Sequence, residues 1–289
     1  MGLFTPKWLT VPAQTVALTD QKKIKKAAFE ADDEAVRLTA IGKLEDDETL
    51  MEIILGSKAG RTVSERKVAV YQLRNTDLLR KIFLDIDLAE TGSLLPVAET
   101  ALSLMDDDTK SDCAYFAQSI GFKEMAVRSV KSELLREQFI YSLEAEGMSG
   151  RNTVRLEKAA AEGISDEVLE RIVRTGKHIA VSEAVRDPQI LYNLCKSGAA
   201  CSTAALSTAA KKLTDLGDSK GIELYRELLS REEKSVIKIL RDLYTKTDNA
   251  ELKAAIEASQ KTYREGRSDY GPCDFHDDIP AIHLDLALK

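Results

Sequence analysis

The 289-residue sequence predicts an all-α fold, a solenoid of stacked helix pairs, and three observations carry that expectation. Helix breakers are sparse: six prolines and fifteen glycines leave long uninterrupted stretches. Hydrophobic residues make up 44% of the chain but aromatics only 6%. Small aliphatic side chains must therefore do the packing, which suits close helix-on-helix contact. Finally, a unit recurs, in which a small polar residue is followed by apolar residues four and seven positions later. Its copies are Asp20/Ile24/Ala27, Asp46/Leu50/Ile53, Asn75/Leu79/Ile82, Ser165/Leu169/Ile172 and Asp187/Leu191/Leu194. The polar member is an N-cap type and the apolar pair shares one helix face, so each copy marks where a helix begins and which side it buries. Recurrence of such a unit is the mark of modules that bury their oily faces on one another.

Taken in order, residues 1–15 form a lead-in and residues 16–265 the repeat domain. Asp20 opens the first capped helix. Upstream of the caps at Asp46 and Asn75 sit matched sets, Ala40, Ile41 and Leu44 in one and Ala69, Val70 and Leu73 in the other. Spacings of one and four put each set on one face of a preceding helix, turned toward its successor. Each unit then reads as helix A, a tight polar turn with its cap, and helix B. Several columns agree across these first units, which favours stacking over an irregular helical bundle. Thr109 reads as a further start, with Asp112 as its capping-box partner and Cys113 and Phe116 as its buried pair. Pro188 directly after Asp187 suits a first helical position. Asp248, followed by Leu252 and Ala255, is a late copy. Met125–Leu143 and Gly221–Tyr244 are helical by pattern but cannot be phased.

Val36-Arg37-Leu38-Thr39-Ala40-Ile41-Gly42-Lys43-Leu44-Glu45-Asp46 resembles the VR-x-x-A-x-x-x-L-x-D signature of short bacterial HEAT-like repeats. Leu3-Phe4-Thr5-Pro6-Lys7-Trp8 is similar to the segment that often precedes such arrays. The match is good over residues 3–85, fair at 125–130 and 154–195, and poor elsewhere. The resemblance implies a right-handed array of roughly seven to nine helix pairs and a role in protein–protein scaffolding. It brings no catalytic residues, because the matched positions are packing and capping positions.

A net charge of −7 argues against duplex nucleic acid, whose binding depends on neutralised phosphates. The four cysteines show neither a disulfide framework nor zinc-ligand spacing. The opening residues lack the apolar core of a signal peptide, and no run reaches transmembrane length. The expectation is a cytoplasmic protein with no membrane contact and no cofactor.

Candidate chemistry is thin. From Gly266 the pattern changes into an irregular tail, residues 266–289, where Cys273, His276 and His283 are weak metal candidates: three ligands without an established motif. The tail's Phe275, Ile279, Ile282 and Leu284 suit docking as a peptide-like extension. Lys22, Lys23, Lys25 and Lys26 read as a solvated helix face, neutralised by the acids that follow. His178, with no serine or cysteine beside it, reads as incidental at a loop or helix edge. Arg37, Arg128 and Arg155 follow valines on A helices, where pairing with an acid of the neighbouring unit is expected. Nothing here makes a catalytic constellation. The expected role is a non-catalytic scaffold or adaptor that holds a protein or peptide partner on a concave surface of B helices, with Glu52, Arg80 and Lys81 among its exposed positions. The alternative is a HEAT-like nucleic-acid binder or DNA glycosylase, for which the single Trp8 lies in the lead-in rather than mid-array.

Overall fold

A computed structural model describes residues 6–56, 61–89, 92–145, 150–229, 250 and 253–254. The fold is all-α. Contacts divide the chain into two compact units, Met1–Ser202 and Thr203–Lys289, a boundary inside the 16–265 span that the sequence treats as one array.

The first unit opens with helices α1 (Pro12–Val16), α2 (Gln21–Glu30), α3 (Glu34–Ile41), α4 (Asp47–Leu55), α5 (Val63–Gln72) and α6 (Thr76–Leu88). It continues with α7 (Leu95–Leu104), α8 (Asp107–Phe116), α9 (Ile120–Ser129), α10 (Glu133–Ala145), α11 (Arg151–Ala161), α12 (Asp166–Arg174) and α13 (Pro188–Lys196). A 3-10 segment, Ile179–Ala184, precedes α13. Even-numbered helices pack on their odd-numbered successors, α2 on α3, α4 on α5, α6 on α7, α8 on α9 and α10 on α11. Odd-numbered helices also touch in series from α1 to α11, as do α6, α8 and α10. The 3-10 segment takes a place in this order, packing on both α11 and α12. Among the described residues no helix is long and apolar enough to cross a membrane.

Local chemistry sets these boundaries. Asp20, Asp46, Asn75 and Asp187 each accept a backbone N–H from the first turn of the helix they precede, as their spacing predicts. All five of the predicted apolar pairs are buried. Asp33 and Ser119 are caps that the pattern does not reveal, and Thr62 forms a capping box with Glu65. Two expectations need correction. The cap of α8 is Asp106, which accepts from the Thr109 N–H, so Thr109 lies inside the first turn and Asp112 is free for another role. Phe116 is consequently not buried with Cys113 but is 63% exposed. Ser165 holds the cap position of α12 without a side-chain bond to that helix; its hydroxyl donates to Glu133 instead.

The core is built from one small triple repeated. Ala27, Ala28 and Ala31 on α2 are buried, and so are Ala40, Ile41 and Leu44, Ala69, Val70 and Leu73, and Ala101, Leu102 and Met105. Ala126, Val127 and Val130, then Ala160, Ala161 and Ile164, repeat the spacing. Alanine at the first position lets neighbouring helices approach closely, while each larger aliphatic residue contributes about 1.5–3 kcal/mol by leaving water.

Cations four residues after a cap close the helices. Arg37 donates to the carbonyls of Ala31 and Asp32 behind α2, Arg66 to those of Ile54 and Gly56, and Lys123 to those of Ala114 and Tyr115. Each satisfies acceptors that a helix C-terminus leaves open and lies at the negative end of its dipole. Arg136 does this for two helices, reaching the carbonyls of Arg128, Val130 and Ala160. Gly56 is required where α4 ends, since a Cβ there would stand 2.1 Å from the Glu52 carbonyl oxygen.

In the second unit, α14 (Thr203–Asp215) packs on α15 (Lys220–Leu229). Leu206, Ala209, Ala210 and Leu213 are buried on one helix, and Leu224, Tyr225 and Leu228 on the other. Gly221 permits the close turn, because a Cβ would sit 2.3 Å from Thr214 Oγ1. The predicted start at Asp248 lies outside the described residues, as does most of 221–244 beyond α15.

Candidate partner-binding surface

With Ser132, whose hydroxyl accepts from the Leu135 N–H, taken as the cap of α10, residues five positions after one cap on the even-numbered helices pair with residues six positions after the next. Arg80 on α6 lies 2.9 Å from Asp112 on α8, and Arg171 on α12 holds Glu137 on α10 through two bonds of 3.1 and 2.6 Å. Starts and ends are joined in the same sense: Ser165 with Glu133 near the starts, Lys177 with Glu144 near the ends. The helices of this series therefore run parallel and in register.

Each ion pair borders an aromatic ring one turn further on. Phe116 follows Asp112, and the Arg80 guanidinium lies 5.8 Å from its centroid. Tyr141 follows Glu137, and its hydroxyl donates to Glu137 Oε1 over 3.3 Å. Partial burial, then the Glu137 charge, raises the Tyr141 pKa, so the phenol stays protonated and a donor. Hydrogen bonding to Glu137 raises the Arg171 pKa further. Phe116 and Tyr141 are exposed, with Leu88 on α6 and Leu134 on α10 beside them in the series. Arginine beside an exposed aromatic is the residue pairing that anchors protein interfaces.

Of the positions the sequence points to, Glu52 and Lys81 are exposed. Arg80 is half-buried and engaged with Asp112, so it belongs to the frame of the surface rather than to its free groups. The lysines of α2 are exposed as expected; Lys25 donates to Thr49 on α4, and Lys23 and Lys26 pair with Asp20 and Glu30. Arg37 reaches Glu65, Arg128 reaches Glu162, and Arg155 reaches Glu124. All three bridge to a neighbouring unit, as the valine-arginine pattern implies.

His178 lies at a helix edge as expected, in the cap position of the 3-10 segment, but it is not incidental. It is buried between α11 and the 3-10 segment, with Nδ1 2.8 Å from Glu157 Oε1 and its ring edge-on to Tyr141. Glu157 falls among the buried residues Leu156, Ala159 and Ala160, and a carboxylate in that register was the readable sign of a buried partner. Nε2 of His178 has no hydrogen-bond partner among the described residues. The metal candidates Cys273, His276 and His283 lie outside the described residues. Among those described, no group of three or more His, Cys, Asp or Glu side chains could hold a metal ion. No protein-family model, curated protein or solved structure matches this sequence.

Proposed function

We propose that the chain is a HEAT-like α-solenoid of right-handed sense that works as a non-catalytic scaffold, binding a protein partner across its even-numbered helices, which would line the concave side. The observation that carries this is the pair of exposed aromatics, Phe116 and Tyr141, each set beside an arginine–carboxylate pair on adjoining parallel helices. The ion pairs Arg80–Asp112 and Arg171–Glu137 already join these helices, so binding orders little more than side chains and loses little conformational entropy. The buried Cys113, a thiol rather than half of a disulfide, suits the reducing cytoplasm.

Affinity capture from the cells that make the protein tests the reading. A bait of native sequence recovers a partner. Baits carrying Phe116→Ala or Lys81→Glu lose it while keeping the same unfolding midpoint. If both baits recover the partner as well as the native chain does, the even-numbered surface is not where it binds.

A further inference from the structure

We draw no further inference here: the strongest candidate, the buried His178–Glu157 pair between α11 and the 3-10 segment, leaves Nε2 of His178 without a partner among the described residues, but no cluster of metal-ligating side chains among those residues includes it and nothing in the structure shows what it would hold.

Discussion

Arg37 on α3 holds Glu65 on α5 with 2.6 Å between Nε and Oε1, and the Glu65 carboxylate is completely buried. The other oxygen of that carboxylate accepts from the Thr62 N–H in the capping box and faces Arg61. One side chain thus begins α5 and ties it to α3. Glu65→Ala should cost about 3–5 kcal/mol, because it strands two partly buried guanidiniums and opens a cap. Denaturant unfolding of Glu65→Ala, Arg37→Ala and the double variant gives the coupling. A double variant no less stable than Glu65→Ala is the expected result; strictly additive losses would mean the two residues act separately.

Asp87 makes the same kind of link between α6 and the turn after α8. Buried at the end of α6, it accepts from the backbone N–H groups of Gln118 and Ser119 in the turn between α8 and α9. Asp107 holds the turn before α10 in this way, and Asp166 the turn before α13. Asp87→Ala removes a charged acceptor from two part-buried N–H groups, and a loss of about 1–2 kcal/mol is expected. Hydrogen exchange should show Gln118 and Ser119 losing protection first. Unchanged protection at both would remove Asp87 from that role.

The Cys113 thiol is buried beside Met105, and burial pushes it from an ordinary value of 9.0 up to about 12. Below pH 9 it is protonated in both the folded and the unfolded chain and has no effect on stability. Between pH 9 and about 12 the unfolded chain loses this proton while the folded one keeps it, so stability falls as pH rises, by at most about 1.4 kcal/mol per pH unit. The thiol should therefore resist alkylation at pH 8 until the protein unfolds. Rapid native labelling of Cys113, mapped by mass spectrometry, would contradict its placement.

Leu50 lies at the centre of the recurring pattern and is buried on α4. Leu50→Asp would put an unpaired carboxylate between packed helices, with an expected loss of about 3–5 kcal/mol. A near-neutral unfolding midpoint would show the packing of α4 to be misassigned.

The caps and buried stripes were legible because they depend on single residues at fixed spacing: Asp20, Asp46, Asn75 and Asp187, with the pairs they introduce. The triple ending at Met105 is not legible in the pattern because Leu94 and Pro96, not a polar cap, begin α7. The triple ending at Val130 follows Ser119, whose following residues break the four-and-seven rule with Lys123. That lysine is at a buried position because its ammonium closes the previous helix, a role that hydropathy patterning reads as an error. The candidate surface was half legible. Valine-arginine pairs signalled bridges between units, but the order of ion pair and aromatic along α8 and α10 depends on which carboxylates face neighbours. By spacing alone Asp112 reads as a capping residue and Phe116 as an interior one.

The most direct test of the central claim places a photo-crosslinking phenylalanine analogue at Phe116 on α8 or at Tyr71 on α5, both exposed, in the cells that make the protein. Irradiation is expected to join a discrete protein partner to the chain from position 116 and not from position 71. Adducts from position 71 alone, or from neither position, would contradict the assignment of the even-numbered helices as the working surface.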